Sequence, residues 1–465
     1  MIDPAFASRL QFALTTIVHI VFPVMSMGLA PFLVYFTWRE VRGGPAVYAH
    51  LRRFWTKIFA LSFVVGTVTG LVLEFEFGTN FAYFSTFAGD LFGGPLALEG
   101  MMAFMLEATF LGVFVFGRER ASDRLYLLSA VCVALGTWLS AVWILVANSW
   151  MQTPRGFEIA MQSGRPVVTL VDPVAAYANP RFPWMFVHMQ NAAVVSVSLF
   201  MLGVAAYYVW SDRDTEFWRT TMRVALVVLL VTAPFQALHG DSYARHVDDT
   251  QPEKFAAMEA QYNTESSVGL KLLAFPTSVN DLLDPRAENL FVVQIPYLAS
   301  ILASGGDPGA TIRGLDAAEE IPPVAFVFWS FRAMVGLGMW FIALALWGAF
   351  RWWRGGLFED RLLHLAMMGS SLLGLLAVET GWVVTEVGRQ PWVIQGVLKT
   401  EAAVSPTLTG TETLSTLVGF VVVYTAILGL YAYGVAHVVR EEAPTPVATT
   451  DRDSGGPAEV AGVDD

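Results

Sequence analysis

Nine runs of apolar residues recur along the chain, at roughly 10–38, 54–77, 95–117, 125–149, 184–210, 217–239, 323–350, 361–387 and 412–438. Each is near or above the ~20 residues that a helix needs to cross a hydrocarbon core. Lipid offers no partner to a backbone N–H or C=O, so such runs must satisfy themselves as helices. The expected fold is therefore an all-α polytopic membrane protein with nine transmembrane helices. Composition agrees. Only 15% of the 465 residues are charged and 55% are hydrophobic, where soluble domains carry ~25% charged residues. Met1 to Leu10 has no basic region and no small-residue cleavage site, so no cleavable signal peptide is expected.

Basic residues in the short connections orient the helices. Arg39, Arg42, Arg52, Arg53 and Lys57 follow the first run, Arg118, Arg120 and Arg124 the third, Arg213 and Arg219 the fifth, and Arg351, Arg354 and Arg361 the seventh. Residues 78–94 hold none. This asymmetry places the N-terminus outside and the C-terminus inside, with a long outer loop between helices 6 and 7. The chain divides into residues 1–239 (helices 1–6), 240–322 (the outer loop), 323–440 (helices 7–9) and 441–465, an acidic, Pro/Gly/Ala-rich tail expected to be disordered in the cytoplasm. Loop and tail supply much of the net charge of −12, which excludes nucleic acid as a partner. The single Cys132 precludes a disulfide framework, and the lack of CxxCH excludes covalently attached haem.

In spans built of Leu, Val, Phe and Ala, the polar exceptions carry the information. His19 lies in span 1, Glu99 and Glu107 in span 3, His188 in span 5, Arg332 and Met334 in span 7, and Glu379 in span 8. Eight helical steps bring Glu99 and Glu107 to nearly one face, about 12 Å apart along the axis. With the orientation above, His19, Glu99, His188, Met334 and Glu379 all fall in the outer half of the bilayer. Singly, each has an ordinary reading: a packed histidine, a methionine filler, an arginine pairing a carboxylate. The carboxylates with Arg332 also suit a proton-coupled transporter. Together, imidazole, thioether and carboxylate at one depth form the ligand set of membrane haems.

Long stretches then resemble subunit I of the cytochrome bd-type quinol oxidases: "SRLQFALTTIVHIVFP", "LEGMMAFMLEATFLG", "FWSFRAMVGLGM" and "ETGWVVTEVGRQPW". The resemblance implies that His188 and Met334 are the axial ligands of a low-spin haem b. It implies that His19 and Glu379 are the proximal ligands of a high-spin haem b and of haem d, or of a second high-spin haem b. Glu99 and Glu107 match carboxylates beside that pair, and Arg332, Arg9 and Arg389 suit haem propionates or the charge of reduced haem. In the loop, "QPEKFAAMEAQY" matches the quinol-binding stretch, with Lys254 and Glu259 on the substrate. Five residues apart, those two would lie about 140° around a regular helix. The implied enzyme sits in a prokaryotic plasma membrane and oxidises ubiquinol or menaquinol. It reduces dioxygen to water and generates proton motive force without pumping. The implied partners are a homologous membrane subunit II and a small single-helix subunit. One departure stands out: relatives commonly carry Trp one turn before the ligand Glu, and this chain has Leu375.

Overall fold

The computed structural model describes residues 3–211, 213, 215–276 and 289–441. Among them, nine helices are long and apolar enough to cross a membrane: span 1 (Pro4–Val41), span 2 (Val47–Thr79), span 3 (Gly89–Phe116), span 4 (Asp123–Gln152), span 5 (Phe182–Trp210), span 6 (Glu216–Thr250), span 7 (Val324–Trp353), span 8 (Arg361–Val387) and span 9 (Gly410–Glu441). The tail beyond Glu441 lies outside the described residues. Several starts are fixed by side chains that take up orphan backbone N–H groups. Asp3 accepts from Ala5 N ahead of Pro4, Ser122 from Leu125 N, and Asp360 from Leu362 N and Leu363 N.

Two spans are interrupted. Span 3 contains a π-helical turn, Glu99–Phe104, and span 8 is built of two helices, Arg361–Ser370 and Leu373–Val387. Span 6 does not stop at the boundary expected near residue 239. It continues to Thr250, because its last turns carry a stripe of rings, His239, Tyr243 and His246, that packs on span 5.

The all-α expectation needs one correction. Among the described residues, four two-stranded antiparallel sheets lie between the spans. One is the hairpin Phe157–Gln162 with Arg165–Leu170, closed by Ser163 (φ 54°) and Gly164 (φ 79°). Two successive left-handed residues are what a two-residue hairpin turn of the right twist demands. The described residues of the long connection also form regular elements. It holds the helices Pro252–Met258 and Leu298–Ser304 and the hairpin Leu270–Pro276 with Asn289–Ile295. Phe255, Met258, Tyr262 and Leu315 bury a core of their own against Val327 and Phe328 of span 7 and Val384 of span 8.

The largest core lies at the opposite end of the bundle, where Phe36, Trp55, Trp218, Leu226 and Met367 are fully buried. Tyr208 and Trp218 stack there with centroids 4.2 Å apart. A smaller cluster joins spans 1, 4, 5 and 8 through Ile20, Val24, Leu145, Met185 and Val378. Leu375 packs in that cluster together with Trp138 and Trp382.

Candidate functional site

Met334 is ten residues into span 7 (324 to 334), and Glu379 is eight from the end of span 8 (379 to 387). His188 faces span 6, with its ring 5.7 Å from those of both His239 and Tyr243. Helical spacing produces this arrangement. Arg181, Trp184 and His188 fall at i, i+3 and i+7 on one helix, and His239, Tyr243 and His246 at i, i+4 and i+7 on the other. Trp184 fills the space between, 5.4 Å from His239 and 5.8 Å from His246.

His19 Nδ1 lies 2.9 Å from Thr69 Oγ1 on span 2. That hydroxyl already donates to Val65 O at 2.9 Å, so it accepts from the ring. In that tautomer the proton sits on Nδ1 and Nε2 keeps a free lone pair. Glu379 has no such partner: both carboxylate oxygens are buried and unbonded. His188 Nδ1 is likewise buried without a partner.

Glu99 and Glu107 share a neighbour on span 4. Ser140 Oγ donates to Glu99 at 2.6 Å, and Thr137 Oγ1 to Glu107 at 2.5 Å. A regular helix would leave residues eight apart about 80° out of line, since eight steps of about 100° overshoot two turns. The π turn between them rotates less per residue and brings both onto the face toward span 4. The sequence expectation of nearly one face from eight regular steps therefore needs correction: the π turn, and not the regular spacing, aligns the two.

The two loop residues point to different places. Lys254 is 2% exposed, and its Nζ donates to Gln152 Oε1 (2.5 Å), Gln251 Oε1 (2.9 Å) and Thr385 O (3.0 Å). Burial holds its amine well below the ordinary lysine pKa, the Arg181 and Arg389 charges push it further, and Glu386 offsets part of the effect. Glu259 is 5% exposed and pairs with Arg332, Nη2 to Oε2 at 2.5 Å. The helix ends at Met258, so Glu259 turns away toward span 7. Neither residue is solvated surface.

Arg332 also gives Nε to Lys271 O at 2.5 Å, so its donors are committed to the connection. Arg9 is exposed and donates to Gln390 Oε1 at 3.2 Å. Arg389 is buried and pairs with Glu386 through Nη2, while Nε and Nη1 have no partner. Arg389 and Lys254 border a cavity of about 360 Å³, whose wall also includes Arg313, Glu320, Gln390 and Trp392.

Two groups had not stood out in the sequence. Glu76 in span 2 is buried, accepting from Gln11 Nε2 (2.9 Å) and Thr15 Oγ1 (2.8 Å) of span 1. Its position at the edge of an apolar run disguised it as a boundary residue. Arg181 was disguised the same way in "NPRFPW", yet it is fully buried.

A profile of the family described as cytochrome bd terminal oxidase subunit I matches residues 7–443. The chain is 34% identical over 429 residues to the cytochrome bd ubiquinol oxidase subunit 1 of Bacillus subtilis (strain 168), covering 90% of this chain and 89% of that one. It is 33% identical over 497 residues to the cytochrome bd-II ubiquinol oxidase subunit 1 of Escherichia coli (strain K12), covering 92% and 95%. Its fold superposes on the bd oxidase structure from Geobacillus thermodenitrificans with a TM-score of 0.84 at 29% identity, covering 95% of this chain and 99% of that one.

Proposed function

The chain belongs to the cytochrome bd terminal oxidase subunit I family, and from that premise we propose that it is the haem-carrying subunit of a respiratory complex that oxidises quinol and reduces dioxygen to water. It is an oxidoreductase and a multi-pass protein of a prokaryotic plasma membrane. The orientation we assign has the N-terminus and the connection between spans 6 and 7 outside, and it rests on the basic residues in the short loops.

In this reading His188 and Met334 hold a low-spin haem b, and His19 and Glu379 hold two high-spin haems, a haem b and a haem d or second haem b. The residues fit such groups. The observation that carries the reading is the Glu379 carboxylate, buried at membrane depth with both oxygens unpaired. An isolated carboxylate there costs several kilocalories, and a metal supplies the missing partner. Glycines clear the approach to the other pair. A Cβ on Gly240 would stand 3.2 Å from His188 Cε1, and one on Gly381 3.0 Å from Met334 Sδ. Such haems, when bound, supply an electron carrier with both axial positions filled and a high-spin iron open to oxygen.

The protein's own residues do the rest. Thr69 fixes the His19 ring with Nε2 free, as ligand histidines are usually fixed. Glu107 and Glu99 each accept one hydroxyl, from Thr137 and Ser140, and keep an oxygen on which to carry a proton toward the oxygen site. Quinol is oxidised at the connection, near Lys254 and Glu259. Protons released outside and consumed from inside generate proton motive force without a pump. A homologous membrane subunit II covers the remaining span faces, and a small single-helix subunit completes the complex.

A reduced-minus-oxidised visible spectrum of the solubilised complex, with a pyridine haemochrome assay and quinol-driven oxygen uptake, tests this reading. The expected result is a Soret band, both low-spin and high-spin features, and uptake that stops when the haems are extracted. A preparation without a Soret band would reject it in favour of proton-coupled transport through Glu99 and Glu107.

A further inference from the structure

Glu76 is a buried carboxylate outside the machinery described so far. It lies three residues from the end of span 2 (76 to 79) and is 2% exposed. Each of its oxygens accepts one bond, from Gln11 Nε2 at 2.9 Å and from Thr15 Oγ1 at 2.8 Å, and neither partner is a cation. Gln11 is oriented from span 9: its Oε1 accepts Thr416 Oγ1 at 2.8 Å, which turns Nε2 toward Glu76. A charge so placed is costly unless something compensates it.

The Thr15 hydroxyl suits two states of this carboxyl. Its oxygen lies 3.0 Å from Phe12 O as well as 2.8 Å from Glu76 Oε2. It donates to Glu76 when that group is ionised. Turned back onto Phe12 O, it accepts from Oε2 when that oxygen bears a proton. No polar atom is stranded either way. Gln11, Thr15 and His19 form one stripe of span 1, at i, i+4 and i+8, against Glu76 and Thr69 of span 2. Counted by the rise per residue, Glu76 lies about 6–11 Å along the bundle from the His19–Thr69 pair.

We propose that Glu76 is a redox-linked proton site: it binds one proton at Oε2 when an electron reaches the haem held by His19, and releases it when the electron leaves. The inference rests on the His19 assignment above. Quinol supplies the electron and the aqueous phase the proton, so charge balances with no other bond made or broken. At an effective dielectric of about 20, unit charges about 10 Å apart change a proton equilibrium roughly 15-fold. The other ionisable groups nearby are turned away or committed. Glu74, two residues along and so about 200° around the helix, is exposed, and its charge acts on Glu99 of span 3. Arg9 is spent on Gln390, Glu412 of span 9 on Thr409, and Tyr83 of the helix after span 2 stacks on Phe87. Tyr424 of span 9 feels the Glu76 charge, and its hydroxyl is buried with no partner. Ser8 Oγ, one turn before Gln11 on span 1, is likewise buried and unpaired. Such spare hydroxyls are the partners that a proton-carrying water needs.

Redox-difference infrared spectroscopy of the intact complex, in water and in heavy water, tests the proposal. Wild type should show a protonated-carboxyl C=O band on reduction of the high-spin haems, shifted in heavy water and lost in Glu76→Gln. The high-spin midpoint potential should also fall less steeply with pH in Glu76→Gln, and Glu76→Asp, still titratable, should restore part of that slope. Thr15→Val removes the hydroxyl and keeps the shape, so it should move the band without deleting it. It also serves as the test if Glu76→Gln fails to assemble, an unmoved band then counting against the site. Full high-spin haem content with the carboxyl bands and the pH slope unchanged in Glu76→Gln would overturn the proposal. So would a band lost only in Glu99→Gln or Glu107→Gln, which would put the proton on span 3. High-spin bands retained in His19→Ala would instead reject the ligand assignment, whatever Glu76 does.

Discussion

Glu259→Gln is the substitution whose effect can be worked out most fully. The Glu259 and Arg332 side chains are 7% and 10% exposed and meet at 2.5 Å, with a second contact, Nη1 to Oε1, at 3.4 Å. Removing one member of a buried ion pair costs about 3–5 kcal/mol, because the other charge is stranded. The glutamine amide keeps a neutral hydrogen bond that returns about 1 kcal/mol. Arg332 would otherwise retain Lys271 O and the rings of Phe328 and Phe331, 4.9 and 5.2 Å from the guanidinium carbon. The net is about 2–4 kcal/mol, which at 1.4 kcal/mol per tenfold raises opening of the connection roughly 30- to 700-fold. Hydrogen exchange of Pro252–Met258 and Leu270–Pro276, followed by mass spectrometry, reads that change directly. Arg332→Gln should loosen the same segments, and the double variant should cost less than the sum of the two. Because Arg332 lies two residues from Met334, the low-spin α-band should shift as well, while an artificial reductant still drives oxygen uptake. Additive single effects with unchanged exchange would show that the pair does not anchor the connection.

Three further outcomes are expected. Met334→Leu conserves volume, so its packing cost stays below about 1.5 kcal/mol; the low-spin α-band should vanish or turn high-spin, and an unchanged difference spectrum rejects the ligand role. Glu107→Gln keeps an acceptor for Thr137 but removes the titrating group; it should slow oxygen reduction or deplete the high-spin haems with the low-spin band intact, and wild-type turnover at full haem content counts against it. For Lys254, the folded pKa lies below the unfolded value of about 10.4, so the folded state binds fewer protons between the two and stability rises with pH there. The resistance of wild type to thermal inactivation should therefore gain on that of Lys254→Met as pH rises toward 10, and a pH-independent difference would refute the burial argument.

What the sequence made legible follows one physical rule: a signal is readable when its cause lies within one window of chain. Nine spanning helices are of that kind, and so are the polar side chains of His19, His188 and Glu379, each conspicuous against its own apolar run; Met334, one of 17 methionines, was singled out by the resemblance alone. The partners were not legible, because each sits on another element at a separation that only packing decides. Thr69 reaches His19 across 50 residues, Arg332 reaches Glu259 across 73, and Lys254 reaches Thr385 across 131. The π turn in "EGMMAF" escaped for a related reason, since no residue in it forbids an ordinary helix.

Those long-range partners also explain why the connection belongs to the electron-transfer machinery in the proposed reading. Glu259 ties it to span 7 two residues from Met334, and Lys254 ties it to span 8 six residues from Glu379 and to Gln152 at the end of span 4. A loop fixed by two buried charges to helices that carry ligand-type side chains cannot shift without disturbing them. The broad apolar core of Trp55, Trp218, Leu226 and Met367 lies at the far end of the bundle and shares none of these contacts. Substitutions there act on stability through packing. Substitutions at the connection end act on spectra and turnover first, because there the interior is held by polar pairs whose loss leaves a charge behind.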